Sequence, residues 1–140
     1  MVRLIEAYIS ESKSEQARVR SNLEVLIRHM LKCKYQPEYI HKSSWRKSIR
    51  NAFDAIVSEF KAVGKGSLYK NYYIKKLPLQ TVYELSRDNA VDETGKQKVD
   101  FPNTCEWTKE QLTDKQFIYN FIDKYGQDIT SIDQIMNIDN

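Results

Sequence analysis

Residues 18–35 read RVRSNLEVLIRHMLKCKY, and this stretch decides the fold. Apolar side chains fall at Val19, Leu23, Leu26 and Met30, alternately four and three apart, with Ile27 and Leu31 beside them. Residues three and four apart share one face of a helix, so this is the seam of an amphipathic helix. Upstream, Leu4, Ile5, Tyr8 and Ile9 carry the spacing back to Arg3, and no Gly or Pro interrupts it. The intervening SESKSEQAR (residues 10–18) is polar all round, which predicts a break or bend near Ser10–Ser14. Downstream, Pro37 ends the helix because the residue before a proline avoids the α region.

The same period recurs along the chain. A second helix is expected from Ser43 or Ser44, either a good N-cap, through Trp45, Ile49, Ala52, Phe53, Ile56, Val57 and Phe60, stopped by Gly64 and Gly66. A third segment runs from Ser67 to Gly95, with Leu68, Tyr69, Tyr72, Tyr73, Leu77, Val82, Tyr83, Leu85 and Ala90. Pro78 inside it predicts a kink or two abutting helices. Residues 96–107 show no period and are read as a loop packing Phe101, Cys105 and Trp107 back onto the helices. Thr108 and Gln111 have capping-box spacing for a short helix, and another is expected from Asp114 to Tyr125, closed by Gly126. Strand-like alternation is nowhere sustained. The reading is an all-α, single-domain bundle of about five helices with an aromatic-rich core over residues 1–126, followed by a short acidic amphipathic tail, 127–140.

Composition bounds the function classes. The 140 residues are 41% hydrophobic and 29% charged, with 4 Gly and 3 Pro, which excludes disordered and collagen-like chains. No apolar run approaches the roughly 18 residues that span a bilayer, and MVRLIEAYISESK lacks the pattern of a secretory signal. Two cysteines make no disulfide scaffold, so a cytoplasmic setting is expected, with no membrane partner. The net charge of +3 hides an asymmetry: residues 13–80 carry +10, residues 81–140 carry −6 and residues 1–12 carry −1. A basic lobe concentrates anions around it, unless the two lobes meet in the fold and cancel.

The stretch LIRHMLKCKYQPE (Leu26–Glu38), followed by Ser44-Trp45 and Ile49, resembles the signature of a bacterial family, the domain of unknown function numbered twenty-nine, found among cyanobacterial and proteobacterial hypothetical proteins. Ser67-Leu68, Tyr83, Glu93-Thr94-Gly95, Phe101-Pro102, Cys105, Trp107, Leu112 and Phe117 continue the resemblance, which spans about residues 4–119. The chain departs from the pattern at Cys33, where an aromatic is usual, at Glu106 and Gly66, where prolines are usual, and at Pro78. The N-terminal acidic pair is reduced to Glu6, and the tail after Tyr119 has no counterpart. The resemblance implies an all-helical fold and no function.

His29 and Cys33 lie four apart on one helix face, and with His41 and Cys105 they complete an inventory of zinc-type ligands. No CxxC or HxxxH pair is present, so no metal is assigned. The plainer role for His29 is a half-buried ring bonded to a carbonyl or carboxylate. No phosphate-binding glycine loop occurs, and no Arg stands five residues before either His, as helical ribonucleases of prokaryotic conflict systems require: Glu24 and Gln36 stand there. No catalytic residue and no cofactor are therefore assigned, and the chain is read as non-enzymatic.

Two binding classes stay open. Tyr35, Tyr39, Lys42, Arg46, Lys47 and Arg50, extended by Lys70, Lys75 and Lys76, interleave aromatics with cations as a single-strand RNA or DNA binder requires. Trp45 shares the apolar stripe of Ile49 and Phe53, so it is read as core. Alternatively, Ile129, Ile132, Ile135 and Met136 beside Asp128 and Asp133 make a tail suited to dock on a protein groove or a second copy of the chain. A protein partner is the preferred expectation, with the chain occluding or adapting it, as antitoxins and phage inhibitors of bacterial defence do. RNA or DNA binding through residues 35–76 is the alternative, and a homodimer is compatible with either.

Overall fold

The computed structural model of the protein describes residues 2–62 and 74–129, with side chains for 14–60 and 74–129. Five α-helices lie in these segments: α1 (Val2–Tyr35), α2 (Ser43–Ala62), α3 (Leu79–Thr94), α4 (Lys109–Leu112) and α5 (Lys115–Tyr125), with a 3-10 turn at Lys98–Asp100. No strand occurs among the described residues. No helix there is long and apolar enough to cross a membrane.

Helix α1 runs 34 residues without interruption through Ser10–Ser14. The break expected there does not form. Glu, Lys, Gln, Ala and Arg are all good helix formers and Ser costs only tenths of a kcal/mol, so polarity without a breaker is not a break. The seam is as read: Leu23, Leu26, Ile27, Met30 and Leu31 are all buried. Helix α2 lies antiparallel to α1, with Arg18 Nε 2.7 Å from Glu59 Oε1 at one end and the Lys32 ammonium over the Trp45 ring at the other. Pro78 splits the third segment. Residues 74–76 form a helical turn, and α3 starts afresh at Leu79 with Pro78 at its N-cap. Helix α3 runs parallel to α1: Ser86 Oγ donates to Glu24 O at 3.0 Å, Arg28 pairs with Glu93 at 3.1 Å, and Lys96 pairs with Glu38 at 2.9 Å. Gly95 ends α3 in the left-handed region, φ 72°, which favours glycine.

The loop after α3 does pack inward: Phe101 and Trp107 are buried. Arg87 holds it there, its guanidinium donating to Lys98 O (2.6 Å), Phe101 O (3.2 Å) and Asn103 Oδ1 (3.0 Å). The Thr108–Gln111 capping box forms in both directions, and Asp114 caps α5 through Phe117 N–H. Trp107 and Phe121 meet edge to face at 5.5 Å, and Tyr35 and Phe101 at 5.9 Å, which gives the core its aromatic character. The charge halves partly cancel: Glu93 takes Arg28 and Lys32, Glu106 takes Lys34, and Asp128 takes Arg46.

Candidate functional site

The basic-aromatic stretch Tyr35–Arg50 is largely spent on the chain itself. Cys33 O would ordinarily accept the amide of residue 37, but Pro37 has none. Lys42 supplies the donor instead: its Nζ lies 3.2 Å from Cys33 O and 3.0 Å from Tyr125 O, joining the C-terminal ends of α1 and α5. It is 3% exposed, so it faces no phosphate, contrary to its reading as a surface cation. Burial pulls its pKa below the usual lysine value. Arg46 donates to Gly126 O at 2.7 Å and to Asp128 Oδ1 at 3.0 Å. The same Asp128 oxygen accepts the Lys42 amide at 2.7 Å, so the acceptor at the start of α2 comes from far down the chain, and neither Ser43 nor Ser44 is the N-cap expected. Gly126 is required for this seating: a Cβ there would stand 2.9 Å from Ile122 O and 3.1 Å from Arg46 Cγ.

The aromatics are engaged too. Tyr35 Oη donates to Glu106 Oε1 at 2.7 Å, and its pKa is pushed up by burial and by that carboxylate. Tyr39 stacks on Trp45 at 4.6 Å while Lys32 sits over the same ring, so Trp45, half-buried rather than core, is already engaged within the chain. Lys47 and Arg50 are exposed on α2 and make no ion pair with a described residue. Lys75 and Lys76 are exposed, but Lys76 sits beside Arg20, toward the other end of α1. Lys70 lies outside the described residues. The structure thus brings together no continuous basic-aromatic surface from the described members of this set.

Of the tail, Ile129 is 8% exposed, with its N–H donating to Ile40 O at 3.1 Å. That residue is committed to its own chain. Ile132, Ile135 and Met136 lie outside the described residues.

His29 Nδ1 stands 2.8 Å from Val25 O, and since a carbonyl only accepts, Nδ1 carries the proton. Burial lowers the pKa of the ring. Burial also pushes the Cys33 thiol up to about 12, far from the thiolate a nucleophile needs. No three His, Cys, Asp or Glu side chains converge as a metal site among the described residues.

A different feature stands out. Ala17, Arg20, Ser21 and Glu24 of α1 face Pro78, Thr81, Val82 and Leu85 across a groove of about 610 Å³. Both rims keep three-to-four spacing over two helical turns, or about 10 Å of helix. Leu85, read from the sequence as core, is 54% exposed. The buried face of α3 is Val82, Tyr83, Ser86, Arg87 and Ala90, which leaves Leu85 and Thr81 on a second face. The Glu24 carboxylate in the groove is already neutralised by Arg28 and bonded by the Asn89 amide. Arg20 is exposed and forms no ion pair with a described residue.

The family model described as "Domain of unknown function DUF29" matches residues 1–118. The chain belongs to that family. No curated protein and no solved structure matches it.

Proposed function

We propose that this DUF29 protein is a non-enzymatic binding module that docks a protein partner in the α1–α3 groove and acts by occluding or adapting that partner. The observation that carries the reading is the groove itself: two helical rims, an apolar wall ending in half-exposed Leu85, and small residues (Ala17, Ser21, Thr81) that let another backbone approach. Its volume is in the range that specific sites occupy. The alternative, nucleic-acid binding through residues 35–76, has lost much of its support, because Tyr35, Lys42 and Arg46 are bonded within the chain.

A photo-crosslinking amino acid placed at Leu85, and separately at Lys47 as a control, tests the reading in cells of the native host. A discrete protein adduct from position 85 and none from position 47 is the expected result. Adducts to RNA or DNA from position 47, with no protein adduct from 85, would reverse the order of the two readings.

A further inference from the structure

The geometry points to the kind of segment the groove accepts: a short amphipathic helix of a partner protein, apolar along one stripe and acidic at the end that lies over Arg20. This rests on the groove being the docking site and adds its charge selectivity. The apolar wall, Pro78, Val82 and Leu85, asks for side chains at i, i+3 or i+4, and i+7, because the groove is two turns long. Charge then decides which amphipathic helices fit. Glu24 is internally paired, so Arg20 is the groove charge left for a ligand. The N-terminus of α3 starts at the Arg20 end, with no side-chain cap and no acid in its first turn, so the positive end of its dipole is uncompensated. One end of the groove therefore carries the Arg20 charge and the α3 N-terminus, and the apolar wall of Pro78, Val82 and Leu85 runs from it beside Ser21, Thr81 and the paired Glu24. A basic amphipathic helix is repelled at that end, and an acidic one gains steering and register.

The test is selection of displayed helical peptides against the full chain, followed by titration of synthetic winners. Winners should share an apolar stripe with Asp or Glu clustered at one end. Leu85→Glu should weaken them by at least about tenfold, since an anchor loses its burial. Arg20→Glu should weaken them by about five- to tenfold, with a loss that shrinks at high salt. Both side chains are exposed, so unfolding temperatures should stay at wild type, which separates lost binding from lost fold. Winners that depend on Leu85 but ignore Arg20→Glu, or that are basic, overturn the charge inference and leave the groove reading standing. Winners indifferent to Leu85→Glu, or no winners at all, overturn both. A single-stranded oligonucleotide added as competitor should leave the peptide bound; displacement would assign the cationic end to nucleic acid and overturn the inference.

Discussion

Replacing Lys42 by methionine keeps an apolar stem of similar length and deletes the ammonium. In the native fold that ammonium is 3% exposed and bonded to Cys33 O and Tyr125 O. Without it two buried carbonyls lose their donor, at about 1 kcal/mol or more each. The cation also leaves the negative ends of α1 and α5, worth about 0.3–1 kcal/mol per helix end. Against this, the fold no longer desolvates a charge, which returns part of the loss. The net destabilisation is about 2–3 kcal/mol. An unfolding entropy of about 2.1 cal/mol/K per residue over this chain means that each kcal/mol moves Tm by about 3 °C, so Lys42→Met should lower Tm by about 7–10 °C. Lys47→Met, near the start of α2 and exposed, should stay within about 1 °C. Differential scanning calorimetry on the pair decides it. If Lys42→Met melts with the wild type, Lys42 does not hold the helix junction, and the case for removing it from the nucleic-acid surface fails.

Asp128 is held below the usual carboxylate value by the Lys42 amide and Arg46. A depressed folded pKa contributes stability above the unfolded pKa that disappears as pH falls through the folded one, so the Tm advantage of wild type over Asp128→Asn should be full above pH about 5 and narrow as pH falls below the ordinary carboxylate value; a gap independent of pH would count against the clamp. Gly126→Ala should cost about 1–3 kcal/mol by overpacking against Ile122 O and Arg46 Cγ, read by urea titration, and the cost should be smaller when measured in an Arg46→Ala background. Arg87→Met strands Lys98 O, Phe101 O and Asn103 Oδ1 and should cost about 3 kcal/mol, with early loss of amide protection across 98–103 in hydrogen exchange. In the native state at pH 8, Cys33 should resist a thiol reagent until the chain unfolds; rapid modification of both cysteines in the folded protein would show that its burial is wrong.

Much of the fold was legible because helical period and helix punctuation are local. Leu23–Leu26–Met30 named the buried face of α1, Pro78 split the third segment, Gly95 ended α3, and Thr108 with Gln111 predicted a capping box that forms. Ser10–Ser14 misled because a polar stretch reads as a weak helix, while a chain of good helix formers simply continues. The candidate site was far less legible. Tyr35, Lys42 and Arg46 looked like surface chemistry because a sequence shows which groups are cationic or aromatic, but not which carbonyl or carboxylate they will meet. Leu85 looked like core because apolar residues near a stripe cannot be told from those one face away until the neighbouring helix is in place.

By itself the sequence determined the helical period of the described segments, the stop of α1 before Pro37, the split at Pro78, the end of α3 at Gly95, and that Cys33 O would lack an amide donor, since Pro37 has none. Only the tertiary structure decided which group fills that gap. The parallel placement of α1 and α3 opens the groove beside Arg20, and the meeting of the C-terminal ends of α1 and α5 draws in Lys42. Both depend on contacts between residues tens of positions apart. Helical period and capping act within a turn or two, so they specify elements and leave open which ends and which charges those elements bring together.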